Sequence, residues 1–218
     1  YISTCKREFK PQTKFQYSCL NYITLQHIIE TITGQSLRDF AKENIFDILG
    51  MQYTDYLPTI QQQDGKWINT VACPWMDRIA PTEKQKDGNV LCGQVHDPLA
   101  RILNGGISGN AGIFSNANDI GILAAALLNG GEYNGRRILS PLGVKTMCTV
   151  PRELTAFGRT PGWDIFSPYA SNKGDLFSPN TFGHTGYTGT SIIIDPDNDT
   201  AVILLVNAVH PEDRHSIC

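Results

Sequence analysis

The run Phe182-Gly183-His184-Thr185-Gly186-Tyr187-Thr188-Gly189-Thr190, followed at once by Ser191-Ile192-Ile193-Ile194-Asp195-Pro196, constrains the fold more than any other stretch of this chain. Its isoleucine-rich part is a β-branched run bounded by turn residues, which is the pattern of a buried strand. Asp195-Pro196-Asp197-Asn198-Asp199 then reads as a turn into a second apolar run, Thr200-Ala201-Val202-Ile203-Leu204-Leu205-Val206-Asn207. Two apolar strands joined this tightly pair antiparallel. Gly162-Trp163-Asp164-Ile165-Phe166 is the expected strand ahead of them. Gly183, Gly186 and Gly189 let another molecule approach the backbone N–H groups closely, and the same glycines equally suit a bulge or bend at a sheet edge.

The earlier part of the chain reads as helices and loops. Leu20, Ile23, Leu25, Ile28, Ile29 and Ile32 recur at helical spacing, which predicts a helix with one buried face that stops at Gly34. Ser36, with Asp39 three residues on, caps a second helix that buries Leu37, Phe40, Ala41, Ile45, Ile48 and Leu49 before Gly50. The two make a helical hairpin. Residues 50–97 lack periodicity and predict a long excursion with one short hairpin around Trp67, the kind of loop that often walls a pocket. Within it, His96 and Asp97 are expected to make structural hydrogen bonds rather than to act jointly, because adjacent residues on extended backbone point to opposite sides. The glycine-rich run from Asn104 to Ser115 has neither the leading strand nor the closing Lys-Ser/Thr of a phosphate cradle. A helix follows from Asp119 to Leu128, with Ile120, Leu123, Ala124, Leu127 and Leu128 as its buried stripe. Ser140 as cap and Pro141 at the first helical position open another short one. The polar tail His210-Pro211-Glu212-Asp213-Arg214-His215 reads as a solvated turn.

Length and composition narrow the function. With 218 residues, 41% of them hydrophobic, the chain can bury the core of one domain. A net charge of −3, from 18 basic and 21 acidic residues, supplies no field for nucleic acid and no polybasic stretch for an anionic membrane. No apolar run approaches the ~20 residues that span a bilayer. The six cysteines show neither Cys-x-x-Cys spacing nor clustering with histidine, so they read as mostly free thiols and no metal site is expected. Because the sequence opens without Met and stops soon after a strand-like run, it reads as a single partial domain over 1–218. Residues 1–150 form its helical and loop part, and 151–210 its antiparallel strands.

Tyr17-Ser18-Cys19-Leu20-Asn21, at the mouth of the first helix, and His184-Thr185-Gly186 together resemble the second and third signature elements of the serine β-lactamase and penicillin-binding-protein superfamily. The likeness is to its class C-like branch of esterases, D-aminopeptidases and lactamases, and it runs from about Phe9 to His210. It implies an α/β (α+β) fold, with an antiparallel sheet flanked by helices that is incomplete in this chain. It also implies acyl-enzyme chemistry, without a cofactor, on a small-molecule or peptide substrate: a β-lactam, a D-amino-acid peptide or an ester.

By that resemblance Tyr17 takes the nucleophile's proton and returns it to the leaving group, helped by neighbouring cations that favour its phenolate. His184 stands where the family more often has Lys, and offers a hydrogen bond or a pH-dependent charge toward Tyr17 and a substrate carboxylate. Thr185 binds the same end of the substrate. The backbone N–H of Tyr187 supplies an oxyanion-hole donor, and Gly186 keeps that edge uncluttered. Cys19 occupies the position of the family's Asn, and Asn21 is the residue that takes over the contact to the acyl chain.

The nucleophile is the departure. Ser3-Thr4-Cys5-Lys6 spells the family's Ser-x-x-Lys, yet Arg7-Glu8-Phe9-Lys10-Pro11 is too charged for a buried helix and ends in a helix breaker. The expectation is therefore a chain that lacks the nucleophile, is inactive alone, and has the missing N-terminal segment of its own domain as a partner. Without that segment a hydrophobic sheet edge stays exposed. A reading of a different class is a noncatalytic relative or fragment that binds a peptide, glycan or protein partner through the same groove. The resemblance further implies an exported protein of the periplasm or cell envelope.

Overall fold

The computed structural model describes residues 2–6, 8–11, 13–170 and 173–213. Residues 214 and 215 of the polar tail, and the sixth cysteine at 218, lie outside the described residues. The five described cysteines are all free thiols. The fold is mixed, with antiparallel sheets and flanking helices, and the chain divides into two compact units.

The first, a helix-and-loop unit, is built on Ser18–Asn116. Helix α1 spans Cys19–Thr33; the Ser18 hydroxyl accepts from the Leu20 N–H at its start, and Gly34 closes it in the left-handed conformation. Its expected single buried face is not there. Leu25, Ile28 and Ile32 are exposed and no residue of α1 is fully buried. At 3.6 residues per turn Leu25, Ile28 and Ile32 fall on one stripe and Leu20 and Ile23 on another, so the six apolar positions cannot all face one way. Helix α2 (Leu37–Ala41), capped by Ser36, runs through a π-helical turn at Lys42–Phe46 into α3 (Asp47–Leu49). The expected second helix is thus present with a π-bulge inside it.

Two short antiparallel pairs follow, β1 (Asp55–Tyr56) with β4 (Ile113–Phe114), and β2 (Thr59–Gln61) with β3 (Trp67–Asn69), the hairpin expected around Trp67. Arg38 ties α2 to β1 through two bonds to Asp55, Nε to Oδ1 at 2.8 Å and Nη2 to Oδ2 at 2.6 Å. Asp97 makes a structural hydrogen bond, and His96 faces a different group. Asp97 Oδ1 accepts from the Ala100 N–H at 2.7 Å, capping the turn at Leu99–Leu103, while His96 Nε2 lies 3.3 Å from Glu83 Oε2.

The second, a sheet unit, comprises Ala117–Leu205 with the first 17 residues. It contains helix α4 (Ala117–Leu128), the hairpin of β5 (Glu132–Tyr133) and β6 (Arg136–Arg137), helix α5 (Pro141–Cys148), and the strands β7 (Phe182–Thr185), β8 (Ser191–Asp195) and β9 (Thr200–Leu204). The strands form one antiparallel sheet in the order β7-β8-β9, with Phe182 opposite Ile194, His184 opposite Ile192 and Ile194 opposite Ala201. Ala124 and Leu127 of α4, Val144 of α5, Phe182 and Ile194 make the core, and Trp163 packs on Phe182 at 5.3 Å between ring centroids. Burying a side chain such as Leu127 contributes about 1.5–3 kcal/mol.

The strand expected at 162–166 is absent. Only Asp164 makes sheet-like bridges, to Arg159 and to Gly183. The N–H groups of Ile165 and Phe166 both donate to the Gly158 carbonyl, so the loop consumes the amides a ladder would need.

Candidate functional site

The sheet unit holds a cavity of about 400 Å³, lined by Tyr17, Arg159, Asp164, Tyr169, Lys173 and the edge of β7 with the turn after it. Strand β7 carries Gly183, His184 and Thr185 along this wall, and Gly186 and Tyr187 continue it. Gly183 is required by close approach: a Cβ there would overlap the Ile192 carbonyl and separate β7 from β8. The turn is closed by Gly186 N–H donating to the Thr190 carbonyl at 2.7 Å. Tyr187 on it is 62% exposed.

Of the residues expected from the sequence, Tyr17, His184, Thr185, Gly186 and Tyr187 line this one cavity. Cys19 and Asn21 stand in the first turn of α1, in the other unit, and are not among its lining residues. Ile2–Thr4 is a three-residue 3₁₀ turn. The helix that a Ser-x-x-Lys nucleophile needs is therefore absent at Ser3.

The residue the sequence reasoning missed is Arg159. Its Nη1 lies 3.1 Å from Asp164 Oδ2, and its Nη2 lies 2.6 Å from His184 Nε2. Its guanidinium carbon also sits 5.4 Å from the Tyr17 ring centroid and 5.6 Å from that of Phe15, within cation–π range. The other His184 nitrogen, Nδ1, is 2.7 Å from the Thr185 carbonyl oxygen. Arg159 is thus in contact with both Tyr17 and His184. No motif marks it: it sits in a loop without periodicity, and its partners come from three separate segments.

Asp164, which holds Arg159, is buried and itself held. Its Oδ2 accepts from Ser167 Oγ at 2.5 Å, its Oδ1 accepts from Ser167 N–H at 3.1 Å, and its backbone exchanges two hydrogen bonds with Gly183. Lys173 donates to the Thr181 carbonyl at 2.5 Å; burial pulls its ammonium below the ordinary lysine value, with Asp164 acting the other way. Among the described residues no three His, Cys, Asp or Glu side chains are grouped to hold a metal ion, and no helix is long and apolar enough to cross a membrane.

Comparison with known proteins places this chain in a family. The family model described as Beta-lactamase matches residues 1–217. A protein of Escherichia coli K12 named as a D-alanyl-D-alanine carboxypeptidase is 35% identical over 217 residues, covering 93% of this chain and 47% of its own length. A like-named protein of Salmonella gallinarum is 34% identical with the same coverage. The chain thus spans about half the length of the curated relatives it matches. Among solved structures, a simvastatin synthase from Aspergillus terreus aligns over 90% of this chain and 51% of its own, with a TM-score of 0.59 at 17% identity. A beta-lactamase from Mycobacterium bovis aligns over 91% and 58%, with a TM-score of 0.58 at 19% identity. At such identities the structural likeness speaks for the fold.

Proposed function

Because this chain belongs to the beta-lactamase family of hydrolases, we propose that it is part of a serine hydrolase that works through an acyl-enzyme, with a peptide ending in a D-amino acid as substrate. The carboxypeptidase names of the relatives support the choice of peptide over β-lactam or simple ester. The observation that carries the reading is the cavity shared by Tyr17 and His184, residues from opposite ends of the chain.

In this reading Tyr17 accepts the proton of a serine supplied from outside these 218 residues and passes it to the departing amine. Arg159 over the ring stabilises the negative charge that develops on the phenol. Thr185 and His184 hold the far end of the substrate, and the Tyr187 N–H faces the oxyanion of the tetrahedral intermediate. The 218 residues alone do not turn over substrate.

The test is labelling by a fluorophosphonate or a β-lactam, read by mass spectrometry. The expected result is an adduct on a Ser-x-x-Lys serine in a protein carrying the whole family domain, and none on the 218-residue chain. An adduct on Ser3 would assign the nucleophile to this chain and overturn the proposal. Absence of any adduct on the whole protein would favour a groove that binds peptide without chemistry.

A further inference from the structure

We propose that Arg159 is the positioning residue of this site: it locks His184 as a neutral imidazole with its proton on Nδ1, and it supplies the fixed positive charge the site needs. The catalytic meaning rests on the hydrolase reading above, whereas the protonation pattern follows from contacts alone.

A guanidinium carries only donors and does not deprotonate. At 2.6 Å from Arg159 Nη2, the Nε2 of His184 therefore has to present its lone pair. The ring's one remaining proton then sits on Nδ1, which faces the Thr185 carbonyl, an acceptor only, at 2.7 Å. Both contacts demand the same form. An imidazolium would set N–H against N–H and one cation against another; the Nε2–H tautomer would fail at both nitrogens at once. Arg159 is kept from turning away by Asp164 at 3.1 Å, whose buried carboxylate is held by Ser167 and whose backbone is held by that of Gly183. The chain Ser167, Asp164, Arg159, His184 is continuous.

This reassigns a role. Left to its sequence, a histidine in the place of the family's lysine is a pH-dependent cation. Here His184 accepts at Nε2, and the positive charge belongs to the Arg159 guanidinium. Arg159 also lies over the Tyr17 ring, so one side chain orients the imidazole and faces the phenol. The other titratable groups lining the cavity are Tyr17, Asp164, Tyr169, Lys173 and Tyr187.

The experiment is long-range ¹H–¹⁵N NMR of the imidazole nitrogens in the 218-residue chain, with the His184 signals assigned by their loss in His184→Gln. The expected spectrum has a pyrrole-type Nδ1 and a pyridine-type Nε2 for His184, the reverse of the tautomer free histidine prefers. In Arg159→Met, with the His27 and His96 signals unmoved as the fold control, His184 reverts toward the Nε2–H form. If that variant does not fold, Arg159→Gln, which keeps an N–H donor and loses the charge, is expected to retain the Nδ1–H form and to separate the two roles. A pyridine-type Nδ1 in the unsubstituted chain, or a His184 spectrum indifferent to Arg159→Met, would overturn the proposal. Neither spectrum depends on turnover, so failure of the hydrolase reading would leave this result standing, and the converse. In a complete, active protein Arg159→Met is expected to lower kcat on the order of 10²-fold, the lower end of what a proton-transfer group contributes.

Discussion

Asp195 shows how much one side chain can decide. It is the last residue of β8, completely buried, and it accepts four hydrogen bonds: from Ser178 N–H at 2.9 Å, Ser178 Oγ at 2.6 Å, Asn198 Nδ2 at 2.8 Å and Asp197 N–H at 3.1 Å. Burial by itself pushes a carboxyl up, but the Ser178, Asn198 and Asp197 bonds outweigh it and hold this one well below the usual carboxylate range. A carboxyl depressed in the folded state stabilises above its unfolded value near ~3.9, and that stabilisation is lost as pH falls through the folded value. Asp195→Asn is therefore expected to destabilise clearly and evenly from neutral pH down to ~4, and progressively less as pH falls below that. Urea unfolding across that range checks it, and a constant difference would assign Asp195 a role independent of its charge.

The loop that carries Arg159 depends on one glycine. The 3₁₀ turn Arg152–Phe157 ends at Gly158, whose φ of 63° is left-handed. A Cβ there would come within 2.6 Å of the Phe166 carbonyl carbon and 2.8 Å of the Ser167 nitrogen, so the loop would have to open just where Asp164 and Ser167 brace Arg159. Gly158→Ala is expected to cost roughly 2–4 kcal/mol, the sum of positive-φ strain and overpacking. Loss of the Arg159–His184 contact should accompany it, read as thermal unfolding together with the His184 imidazole spectrum. Unchanged stability would mean that the loop accommodates the methyl by moving. Helix α1 teaches the complementary lesson: its periodicity correctly announced a helix, but Leu25, Ile28 and Ile32 stay exposed because spacing does not say which stripe finds a partner.

For the molecule as a whole, the outer strand of the sheet is the exposed liability. Among the described residues strand β9 pairs only with β8, and Val202, Leu204 and Leu205 are 46%, 53% and 45% exposed. The 218-residue chain is expected to self-associate as concentration rises and to bind a hydrophobic dye. The pair Val202→Lys and Leu204→Lys should suppress both, as light scattering and dye fluorescence would show. A chain that stays monomeric without these lysines would mean the edge is adequately protected.

The division of information follows from the range of the interactions. The strands β8 and β9, their turn, the stop of α1 at Gly34 and the Ser140-Pro141 opening of α5 were legible, because propensity, capping and turn chemistry act over a few neighbouring residues. Tyr17 and His184 were legible as candidates through the family's short motifs. That Gly162–Phe166 would form no strand, and that an unmarked arginine would join the tyrosine to the histidine, was decided only in three dimensions. Those outcomes hang on where the Gly158 carbonyl, the Asp164 carboxylate and the rings of Phe15 and Tyr17 come to lie. A guanidinium chooses its partners by geometry across the fold, and no local pattern of residues records that choice.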